Sequence, residues 1–94
     1  MSGRFEWDER KARTILRKKG VGIEEAQTVF GNPKSLTIFD SQHSGSDDRF
    51  ITLGLSFTRR LLVVVHQDLE EDIRIISARR ATRKESRSYG EEQH

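Results

Sequence analysis

The sequence predicts an α+β fold: two N-terminal helices, a four-stranded antiparallel sheet and a C-terminal helix. Three observations carry that reading. Apolar residues recur at helical spacing as far as Phe30, and beyond Pro33 the period changes to two. The strand-like runs are joined by short connections, which makes neighbouring strands antiparallel.

Arg4 to Trp7 read as a short extended lead-in, and Asp8 as the N-cap of the first helix, its carboxylate accepting free amides of the first turn. That helix runs to about Lys19 and buries a narrow stripe of Ala12, Ile15 and Leu16 at i, i+3 and i+4, with Gly20 ending it. A shorter helix spans Ile23 to Phe30, with Ile23, Ala26, Val29 and Phe30 on one side and Gly31, Asn32 and Pro33 as its stop. The strands are Leu36 to Asp40, Phe50 to Ser56, Leu61 to Gln67 and Asp72 to Ser77. A Ser/Gly-rich turn at Gln42 to Asp48 joins the first two, with further turns at Phe57 to Arg60 and at an acidic loop. Leu61 to Val65 is apolar at every position, so this strand is covered on both faces and central. The last helix starts near Ser77 or Ala78 and runs to about Tyr89, and Gly90 to His94 form a polar tail.

At 94 residues the chain predicts a single domain, residues 1–94, with an ordered core of about 4–89, because two cores would each fall below fifty residues. Hydrophobic residues are 33% of the chain and charged ones 34%, so the core is thin and the surface heavily solvated. Cysteine is absent, so neither disulfides nor a thiolate zinc site supplements that core, and the expectation is a cytoplasmic protein. The longest apolar run is too short to span a bilayer, and no signal-peptide core opens the chain.

The net charge of +2 conceals strong local fields. Residues 10–19 hold Arg10, Lys11, Arg13, Arg17, Lys18 and Lys19 and no acid. Residues 74–87 hold Arg74, Arg79, Arg80, Arg83, Lys84 and Arg87 against Glu85, while Asp68, Glu70, Glu71 and Asp72 make the acidic loop. Merged in the fold, the basic blocks attract polyphosphate. Kept apart, they are solvated helix faces.

The richest chemistry lies between Arg74 and Tyr89, read as a strand passing directly into a helix. Ile73, Ile75 and Ser77 share one strand face and Arg74 and Ile76 the other, which displays Arg74. On the helix, Ala78, Ala81, Thr82, Glu85 and Tyr89 share the inward stripe, while Arg79, Arg83 and Arg87 line another arc. The functional reading is a phosphate-facing patch with Arg79 at its base; the plainer one pairs Glu85 with an arginine and lets Tyr89 close the core. His66 is the one histidine in regular structure, a proton carrier near neutral pH or simply a polar strand end. His43 falls in the turn and His94 in the tail, so the three histidines give no metal spacing, and no metal or cofactor is expected. Cleaving RNA without a metal requires in-line positioning, cations for the phosphorane charge and groups that move two protons. Arginine supplies the charge, with His66, and more weakly Tyr89 or Glu85, as proton carriers. No Gly-rich phosphate loop, nucleophile elbow or zinc motif is present.

Several blocks of this sequence together resemble the BrnT family of toxin subunits from bacterial type II toxin–antitoxin pairs. They are Phe5, Trp7, Asp8 and Lys11; Gly20 and Val21 with Glu24, Glu25, Ala26 and Phe30; Pro33, Asp40, Arg49 and Gly54; the V-V-V-H run ending at His66; and R-I-I-S-A-R-R-A-T-R-K-E with Tyr89. The resemblance covers roughly Phe5 to Tyr89 and is most specific from Arg74 to Glu85. It departs from the family along the first helix, where Asn and then Lys-His-Gly are common and this chain has Thr14 and Lys18, Lys19, Gly20. The resemblance implies a RelE-like fold and a ribonuclease that arrests translation. It also implies a BrnA-like antitoxin with a ribbon-helix-helix part, which neutralises the toxin and carries the complex to operator DNA. Its implied catalytic residues are His66, Arg74, Arg79, Glu85 and Tyr89, with Lys11, Arg79 and Arg83 on the RNA. Two other readings stand beside it: a non-catalytic co-repressor that binds antitoxin, and a general nucleic-acid-binding module.

Overall fold

The computed structural model describes residues 4–42 and 48–92, with side chains through Gly90. His43 and most of the Gln42 to Asp48 turn, and His94 of the tail, lie outside the described residues. The elements are β1 (Arg4–Glu6), α1 (Glu9–Lys19), α2 (Ile23–Thr28) with a 3-10 turn (Val29–Gly31), β2 (Leu36–Phe39), β3 (Phe50–Leu55), β4 (Leu61–Asp68), β5 (Asp72–Arg80) and α3 (Arg83–Glu92).

The expected four-stranded antiparallel sheet is corrected to a five-stranded mixed one, ordered β1-β5-β4-β3-β2. The lead-in is itself a strand: Arg4, Phe5 and Glu6 pair in parallel with Asp72, Ile73 and Arg74. Three residues are too short for their alternation to be read, and the partner lies more than sixty positions away. The other pairs are antiparallel and the apolar β4 lies in the middle as expected, but the cover expected on both its faces is complete only on the inner one, because Val63 and Val65 of the outer face line an open groove.

α1 begins where Asp8 Oδ1 accepts the Lys11 backbone N–H at 3.1 Å and ends at Gly20, whose φ of 72° only glycine adopts without strain. Ile15 of α1 packs with Val21, Ile23, Ala26 and Val29 onto Leu62, Val64, Ile75 and Ala78, and these residues form the core. Leu16, assigned by its spacing to the buried stripe, is instead 56% exposed, because the helix contacts the sheet along a narrower line than three residues. Gly54 lets β3 pass under the 3-10 turn: a Cβ there would stand 2.7 Å from Ser35 Cβ and 3.1 Å from Val29 Cγ1.

The expected passage from strand into helix at Ser77 is also corrected. β5 continues to Arg80, and α3 starts at Arg83. Its start is a capping box, in which Thr82 Oγ1 accepts the Glu85 N–H at 3.1 Å and Glu85 Oε1 accepts the Thr82 N–H at 2.8 Å. No helix among the described residues is long and apolar enough to cross a membrane.

Candidate active site

The pleat of the sheet sorts the chemistry onto two faces. Leu62, Val64 and His66 of β4 lie opposite Gly54, Thr52 and Phe50 of β3, on the inner face beneath α1 and α2. Val63 and Val65 point the other way, beside Leu53 and Ile51, and with Leu36, Ile38, Arg79 and Glu85 they line an open apolar groove of about 300 Å³. A bulge at Val65/His66 breaks the alternation of β5: Ser77 pairs with Val65, Ile75 pairs with His66, and Ile76 is left between them. The bulge buries Ile75 and turns Arg74, opposite Gln67, to the same side of the sheet as Arg79. The expected sharing of one face by Ile75 and Ser77 is therefore wrong, because strict alternation does not survive an inserted residue.

Arg79 stands at the rim of the groove as half of a fork. Its Nη1 donates to Glu85 Oε1 at 2.9 Å and its Nη2 to Oε2 at 2.8 Å, while Nη1 also reaches the Arg80 carbonyl at 3.2 Å. The guanidinium hydrogen bond, aided by the Thr82 N–H, outweighs burial and holds the Glu85 carboxyl down at about 2; Arg79 is pushed further up by the same partner. Glu85 is thus a fixed carboxylate that aims Arg79 and starts α3. The guanidinium remains partly exposed, so an anion can share it.

His66 is on the other face and only 2% exposed. Its ring lies edge-on to Phe30, with centroids 4.8 Å apart, and stacks on Phe50 at 6.0 Å. Nδ1 meets Asp68 Oδ1 at 2.8 Å, Nε2 meets Thr52 Oγ1 at 2.7 Å, and Thr52 meets Thr37 Oγ1 at 2.7 Å. Because a carboxylate accepts, the neutral ring donates from Nδ1 and accepts the Thr52 hydroxyl at Nε2. Burial pulls the imidazole pKa below 6.5, and Asp68 partly opposes it.

The five expected catalytic residues therefore do not converge. Arg79 and Glu85 are joined on the open face. Arg74 lies roughly 15 Å further along β5, donating to Glu6 at 3.1 Å and bordering a depression that Lys11 also lines. Tyr89 is 8% exposed and donates its hydroxyl to the Lys34 carbonyl at 3.1 Å, fastening α3 to the chain before β2. Arg83 is exposed at the first turn of α3. Lys11 and Arg74 meet at that depression, but the rest of the two basic blocks stay apart, since α1 lies over the inner face and α3 flanks the outer.

Sequence reasoning missed two features. The T-x-x-E capping signature at Thr82 to Glu85 was there to be read and dates the helix start. The cluster around Glu25 had no local signature: Ser56, Thr58 and Arg60, thirty and more positions away, all donate to its carboxylate and hold it at about 2, the Arg60 hydrogen bond most strongly. Arg60 also reaches the Gly20 carbonyl, so this cluster ties the β3–β4 turn to both helices. Among the described residues, no three His, Cys, Asp or Glu side chains group as metal ligands.

A family model described as the ribonuclease toxin BrnT of type II toxin–antitoxin systems matches residues 7–85. The 1.1 Å crystal structure of the Brucella abortus ribonuclease toxin BrnT is similar, with a TM-score of 0.67 and 18% sequence identity, covering 87% of this chain and all of that one. At that identity the likeness speaks to the fold alone. Among curated proteins no sequence matches this chain.

Proposed function

Since the chain belongs to the BrnT family of type II toxin–antitoxin ribonuclease toxins, we propose that it cleaves RNA on the open face of its sheet, at Arg79. The observation that carries this reading is the fork itself: a partly exposed guanidinium held on both nitrogens by Glu85 at the rim of an unfilled groove. Such a group is preorganised to stabilise charge on the phosphorane oxygens as the 2′-hydroxyl attacks, and it undergoes little rearrangement when that charge appears.

In this reading Arg79 touches the scissile phosphate, Glu85 aims it, and Arg83 and Arg74 bind flanking phosphates. Tyr89 positions α3. Glu85, with its carboxyl near 2, is a weak base at neutral pH, so the attacking hydroxyl gives its proton to water or to the phosphate itself. As the P–O2′ bond forms the P–O5′ bond breaks, and the leaving 5′-oxygen takes its proton from water. His66 acts through the sheet rather than on RNA, because two phenyl rings and Thr52 enclose it. The cleavage is metal-independent, since cations of the protein supply the charge.

The consequence in the cell is translation arrest in the cytoplasm, relieved by a BrnA-like ribbon-helix-helix antitoxin that fills the groove and takes the complex to operator DNA. Purified, antitoxin-free protein should cleave RNA in EDTA, and Arg79→Ala should not. Full cleavage by Arg79→Ala rejects the site; no cleavage by the parent, and no growth arrest on expression alone, rejects the enzyme and leaves an antitoxin-binding co-repressor.

A further inference from the structure

We propose that the exposed arc of α1 is a second RNA-binding surface, separate from the groove at Arg79 and specific for the phosphate backbone. The identity of its polyanion rests on the ribonuclease reading above. Arg10, Arg13 and Arg17 follow one another at i, i+3 and i+7 in a single row, with Lys11 and Lys18 flanking them, and all five are exposed. Among the described residues none of the five forms an ion pair, whereas Arg4, Arg60, Arg74 and Arg79 each have a carboxylate within reach.

Helix stability does not account for the row. The macrodipole favours Arg17, Lys18 and Lys19 in the last turn, but it disfavours Arg10 and Lys11 in the first. Arg10 and Arg13, and Arg13 and Arg17, repel each other as like charges one turn apart. Asp8, the cap of the helix, attracts Arg10 and Lys11 but forms no ion pair with either, and its attraction does not extend to Arg13 and Arg17 further along the row. An external anion would relieve the repulsion.

The arc is nucleic-acid-like in what it fits. Its three guanidinium groups spread over roughly 10 Å of helix, a length over which a nucleic-acid strand presents several phosphates, and the planar fork of arginine matches phosphate oxygens. A membrane surface fits less well, because the apolar side of α1 is committed to the core through Ile15 and only Leu16 stands exposed. α1 covers the inner face of the sheet and Arg79 lies on the outer, so a short strand in the groove does not reach the row. A folded RNA that wraps the edge of the sheet does.

The test is binding of a fluorescent 2′-O-methyl RNA hairpin, which lacks the attacking hydroxyl, to the full chain at several salt concentrations. R10Q/R13Q/R17Q should bind on the order of tenfold more weakly at 0.1 M salt, with a log–log salt slope shallower by about 2. R10K/R13K/R17K, which keeps the charge, should retain the parent slope, and matched circular dichroism and melting establish that both are folded. Parent-like affinity and slope in the glutamine variant overturn the proposal, as does a parent that binds anionic phosphatidylserine vesicles but not the hairpin. On long cleavable RNA the glutamine variant should raise KM and leave kcat unchanged. Because the hairpin cannot be cleaved, a failure at Arg79 removes the site, and a parent that does not cleave removes the ribonuclease reading, without changing the binding that this test reads.

Discussion

At the scale of single residues, the proposed site gives Arg79 the work of carrying charge to RNA and Glu85 the work of keeping it aimed. Arg79→Lys retains the charge but loses the planar fork, and cleavage should fall on the order of 10²-fold, as when one preorganised donor is removed from an oxyanion site. Glu85→Gln should cost a similar factor in kcat and also loosen α3, because the same carboxylate accepts the Thr82 N–H; single-turnover cleavage followed alongside circular dichroism separates the two effects. A kcat unchanged in both variants would mean that chemistry happens elsewhere. His66 has a different signature. Its folded pKa lies below the unfolded value of 6.5, so the unfolded chain takes up the proton first and stability should decline as pH falls through 6.5. His66→Gln should flatten the melting temperature between pH 7 and 5 while leaving kcat within a few-fold where the protein is folded. A folded His66→Gln with no activity would restore the imidazole to the chemistry.

Elements differ in how much of them the sequence discloses. The α1 cap at Asp8, the stop at Gly20 and the central position of β4 were legible because each is written in a few adjacent residues. β1 was not, because three residues hold no period and their partner Asp72–Arg74 is remote. The end of β5 misled for another reason: Ser77 to Arg80 has no strong preference for strand or helix, and pairing with Leu62 to Val65 decides it. The bulge at Ile76 is likewise a tertiary event, and it alone determines that Arg74 shares a side with Arg79. Reading the candidate site from sequence therefore named residues but not their sides of the sheet, and it did not foresee that the Tyr89 hydroxyl donates to the Lys34 carbonyl. Where the element packing is tightest the consequence is measurable. Gly54→Ala would place a methyl 2.7 Å from Ser35 Cβ, so β3 or the 3-10 turn must shift, and denaturant unfolding should show a loss of about 1–3 kcal/mol. Glu25→Gln should lower stability in the same unfolding measurement, because Arg60 loses its charge partner and Ser56 and Thr58 lose a charged acceptor. The Glu25 contribution is present above pH 4.5 and is lost as pH falls from there toward 2, because its folded pKa is the lower one.

The whole molecule is built with its helical cover mostly on one side. α1 and α2 seal the inner face, while α3 crosses only one end of the outer, and Ile38 is left 62% exposed beside Ile51, Leu53 and Val65. With a core this thin, filling the outer face with protein adds apolar contact that RNA, a polar ligand, does not. If the antitoxin of the pair occupies the groove as proposed, antitoxin at a hundredfold excess over its Kd should stabilise the chain by about 2.7 kcal/mol, raising the melting temperature by roughly 10–20 °C for a domain of this size. RNA should raise it less and should be expelled from Arg79 as antitoxin is added. Ile38→Lys should weaken the antitoxin on the order of tenfold and leave hairpin binding at α1 unchanged, since β2 lies at the far edge of the sheet from β5 and β1. Titrating antitoxin into the protein with bound cleavable RNA reads both sites at once. Cleavage should stop at one equivalent while a salt-sensitive fraction of RNA stays bound through α1; a ternary complex that still cleaves at full rate would place the antitoxin on another surface.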